Sequence, residues 1–97
     1  MVSLNHIGPK FSLGQVVATP GALAAFEASS EEPGVFLRRH TSGDWGLVSQ
    51  EDAKANDEAL AGGGRLLSRY RTRQGRTIWI ITEADRSSTT LLLPEEY

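Results

Sequence analysis

The sequence predicts an α+β fold in which three short helices pack on a small antiparallel sheet dominated by a C-terminal three-stranded meander. Three observations lead there. Alanine-rich and apolar stretches with helix-start signals fill the first two thirds of the chain, from Leu66 onward the apolar period shifts to two, and Gln74-Gly75 falls between two strand-like runs. At 97 residues the chain suits one core, since two halves would each bury too little apolar surface to fold alone. The expected division is a loose segment over residues 1–10 and a single domain over 11–97.

The elements follow in order. Gln15-Val-Val-Ala18 has β-branched character and stops at Thr19-Pro20-Gly21, which makes it a short strand able to extend the sheet. Thr19 is placed as an N-cap with Pro20 at the first helical position, and Ala22, Leu23, Ala25 and Phe26 carry that helix to about Ser29. Glu31-Glu32-Pro33 can open a second helix. Val35-Phe36-Leu37 would also suit a strand, but the helix puts Arg38, Arg39 and His40 in a last turn, where cations are favoured, ahead of Gly43. Gly43-Asp44-Trp45-Gly46 reads as a turn. Ser49 with Asp52 approximates a capping box for a third helix over Glu51 to Ala61, ended by Gly62-Gly63-Gly64.

A two-residue Gln74-Gly75 loop sets Tyr70 opposite Trp79, Ser68 opposite Ile81 and Leu66 opposite Glu83. One face then carries Leu66, Tyr70, Trp79 and Ile81, and is the expected core side; the other carries Leu67, Arg69, Arg71, Ile78 and Ile80. Glu83 to Ser88 is a turn, and Thr89 to Leu93 is a last strand closed by Pro94. The expected core is Val17, Leu23, Phe26, Phe36, Leu37, Leu60, Leu66, Tyr70, Trp79, Ile81 and Leu92.

Composition narrows the chemistry. The chain has no cysteine, which removes disulfides, thiolate nucleophiles and thiolate-bound metals together. His6 and His40 are far apart in sequence, so no metal site is expected. No cofactor is expected either: Gly62-Gly63-Gly64 lacks the Gly-Lys-Ser/Thr ending of a phosphate-binding loop and leads into a strand. Met1 to Lys10 has no apolar signal core and no apolar run approaches the roughly 18 residues of a membrane span, so a cytoplasmic protein with no membrane association is expected. The net charge of −2 hides an asymmetry, because acids dominate Glu27 to Glu58 whereas Arg65 to Arg76 holds five arginines and no acid.

Three groups of residues could carry a function. Arg65, Arg69, Arg71, Arg73 and Arg76 form the first, with Arg69, Arg71 and Arg73 on one hairpin face able to meet phosphates or an acidic partner. The bland alternative is a solvated strand face paired to nearby acids. Trp45, between two glycines, is either an exposed anchor for a partner or a lid on the core, with Asp44 bonded to backbone. Glu83, Asp85 and Arg86 could perform acid–base chemistry on an anionic substrate or could be a structural ion-pair network. His40 can be combined with serines and Asp44 or Asp85 into a triad on paper, but the Gly-x-Ser-x-Gly elbow is absent.

The chain resembles a family of short bacterial proteins often labelled plasmid-related protein or type I restriction subunit M. The resemblance rests on Ala18-Thr-Pro-Gly-Ala22, on His40 ahead of Gly43-Asp-Trp-Gly46, on Leu66-Leu-Ser68, on Trp79-Ile-Ile-Thr-Glu-Ala-Asp-Arg86 and on Thr89-Thr-Leu-Leu-Leu-Pro-Glu-Glu-Tyr97. It implies a setting among mobile genetic elements and no particular catalytic residue. The methyl transfer in the second label needs a far longer cofactor-binding sheet and an Asn-Pro-Pro-Tyr-like motif, both missing here. The expected function is a non-enzymatic binding or accessory protein acting on an unknown protein partner or by self-association. The alternatives are nucleic-acid binding through Arg69, Arg71 and Arg73, and a small enzyme around Glu83, Asp85 and Arg86.

Overall fold

A computed structural model describes residues 8–97. His6 and most of the 1–10 segment lie outside the described residues, while Lys10 donates its amide to the carbonyl of Thr41 at 2.7 Å. The elements are β1 (Gln15–Ala18), α1 (Pro20–Ser29), α2 (Pro33–Thr41), α3 (Gln50–Gly62), β2 (Leu66–Arg71), β3 (Thr77–Thr82) and β4 (Ser88–Leu92), followed by one 3-10 turn at Pro94–Glu96. The class is α+β.

Local chemistry sets the helix starts. Thr19 Oγ1 accepts from the amide of Ala22 at 3.2 Å ahead of Pro20, and Ser49 Oγ accepts from the amide of Asp52 at 3.1 Å. Arg38, Arg39 and His40 occupy the last turn of α2, at the negative end of its dipole.

The sheet has four strands in the order β1-β4-β3-β2, with β1 parallel to β4 and the other pairs antiparallel. It is therefore mixed, and one strand wider than the expected meander. The chain leaves β1 at one edge, builds all three helices, and returns at the opposite edge as β2. The helices cover one face. Ala22, Ala25 and Phe26 of α1 and Phe36 of α2 pack with Tyr70, Ile78, Ile80 and Leu91 of the sheet. The Phe36 ring lies 5.4 Å from that of Phe26 and 5.5 Å from that of Tyr70. A second cluster joins Trp45, Ala59 of α3 and Leu66.

The hairpin register differs from the expected one by a single residue. Tyr70 faces Ile78, Ser68 faces Ile80 and Leu66 faces Thr82. The loop has three residues, Arg73 to Gly75: Thr72 and Arg76 are paired by a backbone bond, the Gly75 amide donates to the Thr72 carbonyl at 2.9 Å, and Gly75 sits at φ +85°. That is a type I turn closed by a left-handed residue, a position glycine fills without strain. A one-residue slip moves every side chain of one strand to the opposite face. Ile78 and Ile80 therefore lie in the core under the helices, while Trp79 and Ile81 point away from the helices, Trp79 half-buried and Ile81 still buried.

Two further core expectations are corrected. Leu23 is 53% exposed, because α1 turns Ala22, Ala25, Phe26 and Ser29 inward and Leu23 falls one position off that stripe. Val17 is 43% exposed, because its register partner Thr90 faces away from the helices.

Candidate functional site

The sheet face opposite the helices is not covered by them and carries an open hollow. Pairing sets Val17, Thr90, Ile81 and Leu67 in one row across all four strands, and Leu92, Trp79 and Arg69 in the next. Arg71 follows Arg69 two residues on along β2, on the same face. The 3-10 turn carries Tyr97 over this floor: its ring meets Trp79 edge-on at 5.6 Å, and its hydroxyl accepts from Arg65 Nη1 at 2.9 Å. Arg65, Leu67, Trp79, Ile81 and Tyr97 line an open hollow of about 330 Å³. A second hollow of about 230 Å³ shares Arg65, Ile81 and Tyr97 and extends to Thr90, Leu92 and Glu83.

The turn that positions Tyr97 is anchored by Glu96. Its carboxylate accepts from Thr19 Oγ1 at 2.5 Å, from the Leu93 amide at 2.9 Å and from the Gly21 amide at 3.1 Å. These bonds, the Thr19 hydroxyl foremost, hold the Glu96 carboxyl below the usual carboxylate range. They also place a negative charge at the positive end of α1. A Cβ on Gly21 would sit 2.6 Å from the Glu96 carboxylate.

The five arginines divide by partner. Arg65, which lines the hollow, pairs with Glu83 at 3.3 Å, and Arg76, beside the hairpin loop, pairs with Glu95 at 3.3 Å. Arg73 leaves the hairpin face: it reaches the carbonyl of Ser30 and the carboxylate of Glu31 beyond α1, so the expected trio of Arg69, Arg71 and Arg73 does not form. Arg69 donates to the carbonyl of Leu47 at 2.6 Å. Among the described residues neither Arg69 nor Arg71 has a carboxylate within ion-pair reach.

His40, Asp44 and Trp45 serve the interior and its border. His40 is fully buried, with Nδ1 2.5 Å from Ser68 Oγ and Nε2 2.9 Å from Thr82 Oγ1. Thr82 in turn lies 2.7 Å from Thr89 Oγ1, which is 2.8 Å from the carbonyl of Leu13. A carbonyl can only accept, so every donor in the chain is assigned. Thr89 donates to Leu13, Thr82 to Thr89, and His40 to Thr82 through Nε2–H, leaving Nδ1 to accept from Ser68. Burial, aided by the charge of Arg86, lowers the His40 pKa to about 4.

Trp45 is buried, its ring stacked on Phe11 at 6.2 Å and edge-on to His40 at 5.7 Å, while its Nε1 donates to Asp57 at 3.1 Å. Asp44 pairs with Arg39 at 2.7 Å, which lowers its carboxyl. The backbone carbonyl of Asp44 accepts from the Tyr70 hydroxyl at 2.5 Å, and burial pushes the Tyr70 phenol up to about 12.

Glu83, Asp85 and Arg86 do not converge on a cavity. Glu83 holds Arg65, and Asp85 accepts from the amide of Ser87 within its own turn. Arg86 donates to the carbonyls of Ala59 and Gly64 at 3.0 and 2.6 Å, satisfying acceptors at the end of α3. Its guanidinium is thus occupied by backbone rather than offered to a substrate.

Sequence reasoning therefore set Leu67, Arg69 and Arg71 together on this face and expected Ile81 and Leu92 to be buried, as they are, but it put Trp79 and Ile81 on the helix side and missed Tyr97. The signal lay in the loop, where Thr72 precedes a three-residue stretch ending in glycine. No family model, curated protein or solved structure matches the chain.

Proposed function

We propose that the protein is a non-enzymatic binding domain, an accessory protein whose working surface is the sheet face opposite the helices. The observation that carries this reading is the pair of adjoining hollows on an aromatic and aliphatic floor lined by Arg65, with Arg69 and Arg71 on the same face of β2. The hollows are shallow and open, a shape that suits a segment of a macromolecule better than an enclosed small substrate. The mobile-element setting implied by the family resemblance is compatible with such a role.

A protein partner would bury the apolar floor, with Trp79 as an aromatic anchor. A second reading, nucleic acid, is favoured by the two uncompensated arginines beside that anchor. The enzymatic reading has little support, because the polar groups of Glu83, Asp85 and Arg86 are engaged with other parts of the chain.

The test is photo-cross-linking in the native host, with a benzophenone amino acid at Leu67 or Thr90 and, for comparison, at Ala24 or Lys54 on the helix side. Adducts specific to the sheet positions are expected. Equal labelling from both sides, or none from the sheet, sinks the proposal.

A further inference from the structure

We infer that the sheet face binds single-stranded DNA, with bases stacking at Trp79 and Tyr97 and phosphates held by Arg69 and Arg71. This rests on the reading of the open face as the working surface and names its partner. Charge complementarity is the first support. Arg65, Arg69 and Arg71 lie on this face, and of the acids there Glu83 is engaged by Arg65 while Glu96, at the second hollow, is held by Thr19 and two backbone amides. Arg69, which gives one N–H to the Leu47 carbonyl, and Arg71 have no carboxylate partner among the described residues and stand in one row along β2. The acids of α3, Glu51, Asp52, Asp57 and Glu58, belong to the helical layer, so the net charge of −2 conceals a positive sheet face.

Aromatic placement is the second support. Trp79 is the register partner of Arg69, and Tyr97 packs on Trp79. A stacking ring is therefore the direct neighbour of a phosphate-binding side chain, the combination by which proteins hold unpaired strands. Arg71, two residues beyond Arg69, is about 7 Å further along the strand, so an extended backbone laid along β2 passes both. A duplex offers no exposed base to these rings, and this face presents a flat sheet rather than an element that enters a groove.

The choice of DNA over RNA follows from the floor. Leu67, Ile81 and Leu92 surround Trp79 with hydrocarbon, while the polar side chains Arg65, Glu83 and Thr90 of the hollows lie outside the Leu92-Trp79-Arg69 row and Arg65 and Glu83 are paired with each other, so a 2′-hydroxyl beside Trp79 gains little. An acidic peptide could also meet the arginines, but it does not require the paired rings.

The experiment is fluorescence anisotropy of labelled oligo(dT) of about 15 nucleotides, with oligo(rU) of equal length and a DNA duplex in parallel. Oligo(dT) is expected to bind more tightly than either. A tenfold rise in salt should weaken it roughly 25-fold, the counterion release of two phosphates on a single strand. Arg71→Ala, which breaks no hydrogen bond of the fold among the described residues, and the Arg69→Ala/Arg71→Ala pair should reduce affinity and flatten the salt dependence. Trp79→Leu should weaken binding roughly 5- to 150-fold, while Arg38→Ala on α2 leaves it unchanged.

Circular dichroism separates loss of binding from loss of fold, and Arg69→Lys/Arg71→Lys, which keeps both charges, should retain the salt dependence. No binding at low salt, binding indifferent to Arg71→Ala, or oligo(rU) bound as tightly as oligo(dT) overturns the inference. If binding fails while Leu67 and Thr90 still cross-link specifically to a protein, the sheet face remains the working surface and DNA is wrong as its partner. If both fail, the two proposals fall together.

Discussion

At the scale of single residues, His40 makes the fold sensitive to acid. It is neutral in the native state with a pKa near 4, against 6.5 for an ordinary imidazole. Above about pH 6.5 the ring is neutral whether the chain is folded or not, and it contributes no pH dependence. As pH falls from there toward 4, the unfolded chain takes up a proton that the folded chain refuses, so stability declines. The slope approaches 1.4 kcal/mol per pH unit and the total loss is about 3 kcal/mol. Urea denaturation across that window should show the decline, and His40→Gln should lower stability at neutral pH while removing this part of the slope. Nitrogen NMR shifts should report the Nε2–H tautomer that the Leu13 carbonyl imposes through Thr89 and Thr82. The helix caps Thr19 and Ser49 were legible from sequence because each bonds an amide three residues away. The partners of His40 lie 28 and 42 residues distant, and nothing near His40 announces them.

At the scale of elements, the turn at Gly43 to Gly46 is more constrained than the hairpin loop. Gly46 has φ +73°, and a Cβ there would lie 2.2 Å from the Arg69 carbonyl oxygen and 2.6 Å from the Tyr70 ring. Gly75 has φ +85° with nothing within 4 Å of such a Cβ. Gly75→Ala should therefore cost about 1 kcal/mol, the left-handed penalty alone. Gly46→Ala should cost about 2–4 kcal/mol, since backbone must also move; chemical denaturation compares the two, and equal costs would contradict the close approach. All three helices and the strand segments could be placed from the chain's own punctuation of prolines, glycines and caps. The faces of β3 could not, because they depended on whether the loop held two residues or three. That one residue exchanged Ile78 and Ile80 for Trp79 and Ile81, and so hid the floor of the candidate site while leaving its arginines visible. The fourth strand's parallel pairing was likewise a long-range fact, as Val16 finds Thr89 across the whole helical layer.

At the scale of the molecule, Glu96 ties the last turn to the first helix across 77 residues of sequence. Tyr97 is held over Trp79 by that anchor as well as by Arg65. Glu96→Ala should release the turn and expose Trp79, read in a Trp45→Phe background as stronger acrylamide quenching; unchanged quenching would mean that Arg65 alone holds Tyr97. The two sides of the sheet edge also differ. On β2 the Asn56 amide bonds both the N–H and the C=O of Leu67, at 3.0 and 2.8 Å. Trp45 and Leu47 bond the Arg69 backbone in the same way, at 3.1 and 2.6 Å. Both outward-facing positions in the middle of that strand are thereby closed to another strand, whereas no described residue bonds the outer side of β1. A fibre built by strand addition needs a donor edge and an acceptor edge on every unit. With one edge sealed, chains joining through β1 end as a pair, and the pair has nowhere left to grow.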